Sequence, residues 1–94
     1  MRNLHFDWDR RKAEENIRKH GITFEEAQTV LHDEFAVEFY DDEHSEWEDR
    51  FLLLGLSSKL NLLMVCHCYR KSESEIRIIS ARKATNNESK HYKR

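Results

Sequence analysis

The residues best suited to chemistry in this sequence are a histidine inside an apolar run and arginines at the margins of others. His67 lies within the run from Leu60 to Tyr69, and an unperturbed imidazole titrates near pH ~6.5, so it can take or give a proton near neutrality. Strand alternation puts it with Leu63, Val65 and Tyr69, opposite Cys66 and Cys68. It is the favoured acid–base candidate, and its structural alternative is a histidine that only hydrogen-bonds within a sheet. Arg50, Arg77 and Arg82 carry the planar guanidinium that suits a phosphate. Arg77 and Arg82 bracket one run, and their odd separation turns them to opposite faces of a regular strand. Arg50 follows Glu48-Asp49, and both it and Arg77 have a structural alternative in ion pairs with the acidic stretch.

Two other clusters invite a metal reading. Cys66 and Cys68 are separated by one residue, too short for an unstrained disulfide or for the usual spacing of tetrahedral metal ligands. Free thiols in a strand are expected. Asp41, Asp42, His44, Glu46 and Glu48 offer ligands for a divalent ion, but carboxylates in an unbroken loop are ordinarily solvated. Neither a catalytic metal nor a cofactor is expected. The formal net charge of −2 gives no global attraction to nucleic acid, yet basic residues gather from Arg10 to Lys19 and from Arg70 to Arg94, which allows a local basic face.

The elements that must position these residues follow from periodicity. The 94 residues suit one domain, 1–94, without internal repeats or proline. Acidic residues near the N-terminus, where a signal peptide would be apolar, and the lack of any span-length apolar run lead to an expectation of a soluble cytoplasmic protein away from membranes. A short strand is expected at Leu4–Phe6. Asp9 can cap a helix reaching His20, with Gly21 at its left-handed end and Ala13 and Ile17 as its apolar stripe. Thr23 and Glu26 have capping-box spacing, with Ile22 stapling onto Ala27 and Phe24, Ala27, Val30 and Leu31 facing a core. From Phe35 to Tyr40 the period becomes two, Phe51–Leu56 and Leu60–Tyr69 read as a hairpin, and Ile76–Ala81 as another strand. Thr85 and Glu88 form a second capping box before a short polar helix. The expected fold is α+β: two N-terminal helices on a mostly antiparallel sheet of about four strands, with a short C-terminal helix.

Along this order the chain resembles the BrnT family of type II toxin–antitoxin toxins. The resemblance rests on Phe6-Asp7-Trp8-Asp9, Asn16 with Lys19-His20-Gly21-Ile22, Phe24-Glu25-Glu26-Ala27, Asp41-Asp42 with His44-Ser45-Glu46 and Arg50, Gly55, and the stretch from Ile76 to Thr85. It implies a RelE-like fold, RNA cleavage on the sheet face away from the helices, and a BrnA-type antitoxin that reaches operator DNA through its own DNA-binding element. Metal-free RNA cleavage needs a group to take the 2′-hydroxyl proton, cations for the phosphorane and an acid for the leaving oxygen. The resemblance makes Arg82 the stronger arginine and pairs it with Tyr92 on the following helix. It also makes Lys19 and His20 RNA contacts, although the helix dipole accounts for cations there. Arg70 and Lys83 join them as RNA contacts from the basic C-terminal third. Phe35, Phe39 and Trp47 are candidate antitoxin contacts, with the core as the alternative for the two phenylalanines. The competing reading is a non-catalytic partner-binding module or co-repressor on the same fold.

Overall fold

The structure, a computed structural model, describes residues 3–92. The elements run β1 (His5–Asp7), α1 (Arg10–His20), α2 (Phe24–Val30), β2 (Val37–Tyr40), a 3-10 turn (Asp42–His44), β3 (Phe51–Leu56), β4 (Leu62–Tyr69), β5 (Glu75–Lys83) and α3 (Asn86–Ser89). The Asp9 carboxylate accepts the Lys12 N–H to start α1, and Gly21, at φ 70°, ends it by donating its N–H to the Ile17 carbonyl. A residue with a Cβ would be strained in that left-handed position.

The stripe expected to attach α1 is incomplete, because Ile17 is 47% exposed. The anchor is Asn16, whose buried amide donates to the Ile22 and Ala81 carbonyls and accepts the Ala81 N–H. It satisfies the backbone of β5 where no strand lies beside it. Thr23 caps α2 as expected, but its partner in the box departs: Glu26 turns inward to accept hydrogen bonds from Ser57 and Asn61 at the β3–β4 turn. The second box, Thr85 with Glu88, is complete.

Among the described residues the sheet has five strands in the order β1-β5-β4-β3-β2, rather than about four. The strand expected at Leu4–Phe6 is β1, one residue later; it joins the sheet edge in parallel with β5 from His5↔Glu75 to Asp7↔Arg77 and makes the sheet mixed. Helix α2 presses Phe24, Ala27 and Val30 onto Leu53, Leu63, Val65, Ile78 and Ala81, with Ile22 alongside. Gly55 permits that approach, since a Cβ there would sit 2.7 Å from Val30 Cγ1. Among the described residues no helix is long and apolar enough to cross a membrane.

One irregularity reorganises the second face. Cys66 pairs with Ser80 while His67 pairs with Ile78, so Ile79 is an extra residue in β5. Such a bulge resets the alternation beyond it. Arg77, opposite Cys68, and Arg82, opposite Met64, therefore share one face, which corrects the expectation of opposite faces. The α3 segment crosses part of this face, with Glu88 on Arg82 and the His91 ring against Phe39. The rest is open.

Candidate active site

Strands β1, β3, β4 and β5 set a row of charge across this second face. Arg77 of β5 faces Cys68 of β4, and Arg50 enters β3 one residue before the Phe51↔His67 pair, which puts it beyond Cys68 in the same row. Adjacent strands lie about 4.8 Å apart, so the two guanidiniums are based about 10 Å from each other. Arg70 follows Cys68 by two residues and shares Glu48 with Arg50, at 3.9 and 3.5 Å. Arg77 lies 3.6 Å from Asp7. These separations exceed hydrogen-bond length, and among the described residues the buried Nε atoms of Arg50 and Arg77 have no hydrogen-bond partner. A solvent-shielded N–H without an acceptor is costly in the free protein, and an anion on this face would relieve it.

Arg82 is different. Its two terminal nitrogens donate to the two oxygens of Glu88 at 2.8 Å each. This fork holds the Glu88 carboxyl down to about 2 and fixes Arg82 more firmly in its charged form. Arg82 lines a groove with Arg50, Asp41, Glu43, His44, Leu52, Cys66, Ile79 and Ser80. Ile79 and Ser80 also line a second groove with Lys12, Lys19 and His20 at the end of α1. The bulge is thus the ridge between the arginine groove and the first basic segment. Lys19 itself lies 3.8 Å from Glu15 on its own helix.

The loop that closes the groove is ordered by its own hydrogen bonds. Asp41 donates its N–H to the Arg50 carbonyl, the Ser45 hydroxyl donates to the Asp41 carbonyl, and the same hydroxyl accepts the Arg50 N–H. His44 Nδ1 lies 3.1 and 3.0 Å from the two oxygens of Asp41, which is itself buried. The acidic stretch is therefore an ordered loop in which Asp41 is buried and Asp42, Glu43, Glu46, Glu48 and Asp49 are exposed, as expected of loop carboxylates. Its histidine was legible as a possible metal ligand and as part of the family-like motif, but not as an oriented partner of Asp41. Among the described residues no group of three or more His, Cys, Asp or Glu is arranged to hold a metal ion.

Of the candidates only Arg50 and Arg82 line this groove; Arg70, Arg77, Lys19 and His20 lie outside it, and three more are placed elsewhere. His67 is fully buried on the helix-covered face, within a ring cluster with Phe51 and Tyr69. Its Nδ1 faces the Val65 carbonyl and its Nε2 faces Glu38, both at 3.3 Å. Burial lowers its pKa, against the opposing pull of these acceptors. With no exposed surface and both ring nitrogens facing acceptors of the protein, it stands where the structural alternative, a histidine that hydrogen-bonds within the sheet, would place it. Tyr92 donates its hydroxyl to Asp33 at 2.6 Å and lines a separate groove with Phe35, Leu56 and Leu60. That groove is larger and mostly apolar, and among the described residues no Lys or Arg lines it. Lys83 alternates with Arg82, projects to the side of Leu63, and faces Glu26 near α2.

The thiols are inert by environment. Burial, followed by the Asp41 charge, pushes Cys66 up to about 11, and burial also raises Cys68. Both are free, as expected. Of the aromatic residues set aside for a partner, Trp47 is 93% and Phe35 46% exposed, while Phe39 is half-buried against His91. Phe35 is thus not core.

Comparison with known proteins gives this geometry a context. No curated protein matches the chain. The crystal structure of the Brucella abortus ribonuclease toxin BrnT is similar, with a TM-score of 0.67 and 25% identity over 88% of this chain and 99% of that one. The profile of the family described as "Ribonuclease toxin, BrnT, of type II toxin-antitoxin system" matches residues 8–88. With that match spanning most of its length, the chain belongs to the BrnT family of ribonuclease toxins of type II toxin–antitoxin systems.

Proposed function

We propose that the chain is a metal-independent endoribonuclease that cuts RNA on the open sheet face, arrests growth in the cytoplasm and is neutralised by a BrnA-type antitoxin. The observation that carries this reading is the β5 bulge, which gathers Arg77 and Arg82 onto one face with Arg50 and Arg70. In the proposed reaction Arg50 and Arg82 hold the scissile phosphate and stabilise the charge that grows on it when the ribose 2′-oxygen attacks. Arg77 and Arg70 take neighbouring phosphates, and Lys19 with His20 extend the track around the bulge. Guanidinium charge supplies what a divalent ion would supply elsewhere. The antitoxin would meet Trp47 and the Phe35 groove, and operator DNA would be reached only through that complex.

One observation favours the second reading, a non-catalytic partner-binding module: each arginine of the face has a carboxylate nearby, and the Arg82 pair is fully hydrogen-bonded. Cleavage of mixed-sequence RNA in excess EDTA separates the readings. The enzyme reading expects fragments ending in 2′,3′-cyclic phosphate and 5′-hydroxyl, and a loss of about 10²-fold or more for Arg50→Ala or Arg82→Ala. A folded wild-type chain that neither cuts RNA nor arrests growth on induction would leave the binding module.

A further inference from the structure

The arginine groove contains a proton-transfer group that no arginine replaces. His44 is the histidine lining it, and its Nδ1 is engaged by both oxygens of buried Asp41. A carboxylate on Nδ1 fixes the proton there and leaves Nε2 as the acceptor, the arrangement by which an imidazole becomes an oriented base. The other charged groups lining the groove are Glu43, Arg50 and Arg82, with the Cys66 thiol 4.0 Å from Asp41 Oδ2. The mount is rigid, because Ser45 and Arg50 tie down the backbone of Asp41 from both sides. The His44 side chain remains 61% exposed and within reach of a ligand in the groove.

Resting on the ribonuclease reading, we infer that His44 is the general base for RNA cleavage, with Asp41 as its positioning residue. His44 Nε2 takes the proton of the ribose 2′-hydroxyl as that oxygen bonds to phosphorus. The bond from phosphorus to the 5′-oxygen breaks, and the leaving oxygen takes a proton from solvent. The products are a 2′,3′-cyclic phosphate and a 5′-hydroxyl, and His44 returns its proton to solvent.

The test compares wild type, His44→Ala and Asp41→Asn on mixed-sequence single-stranded RNA, with binding to the 2′-O-methyl form of the same RNA measured in parallel. His44→Ala should lose about 10²–10⁴ in cleavage rate while binding the blocked RNA as wild type does. Its rate profile should also lose the limb that rises with pH in wild type. Asp41→Asn should show an intermediate loss. A His44→Ala protein that cuts at the wild-type rate, keeps the rising limb, or loses binding in proportion to cleavage would overturn the inference alone. A wild-type chain that does not cut overturns the ribonuclease reading and the inference with it.

Discussion

The Arg82–Glu88 fork ties the groove to acid stability. Glu88 falls from an ordinary 4.5 to about 2 because it accepts two hydrogen bonds from Arg82. The folded chain binds that proton more weakly than the unfolded chain, so the pair's contribution is whole above pH 4.5 and is lost as pH falls toward about 2. Solvent screening of the half-exposed pair leaves about 1–2 kcal/mol. Urea unfolding of Glu88→Gln should show that deficit at neutral pH and none at the acid end. His67 acts in a higher window. Its pKa is lowered from 6.5 by burial, so stability should decline as pH drops below 6.5, and His67→Gln should remove that component. The same variant should cost about 1–3 kcal/mol through its buried contacts and keep RNA cleavage. Loss of cleavage in a folded His67→Gln chain would restore His67 to the site.

Elements decide which residues meet, and they were legible to different depths. Caps at Asp9, Gly21, Thr23 and Thr85 are local chemistry, and each stands where the sequence indicated. The strands Phe51–Leu56 and Leu62–Tyr69 likewise follow from apolar runs. The β5 bulge was hidden because Ile76-Arg77-Ile78-Ile79 is apolar enough for either register. The burial of His67 was hidden too, since Leu63 and Val65 on one side and Met64, Cys66 and Cys68 on the other are all apolar or weakly polar. Alternation gave the grouping but not the covered side. Gly55 tests the layer spacing: Gly55→Ala forces a Cβ against Val30, with an expected cost of about 1–3 kcal/mol. Thermal unfolding measures it, and an unchanged midpoint would mean that α2 does not sit so close to β3.

For the whole molecule, a net charge of −2 means that RNA affinity must come from one face. About four phosphate contacts on single-stranded RNA predict a slope near −3 for log affinity against log salt, readable by fluorescence anisotropy. A slope near zero would indicate no such face. The most direct measurement is an NMR titration of the folded chain with 2′-O-methyl RNA, following the arginine Nε–H signals and the backbone of β4 and β5. The account predicts shifts at Arg50, Arg77 and Arg82, together with Cys66 and Ser80, and little change around Phe24 and Ala27. Shifts confined to the helix-covered side, or to the groove of Phe35 and Tyr92, would contradict it.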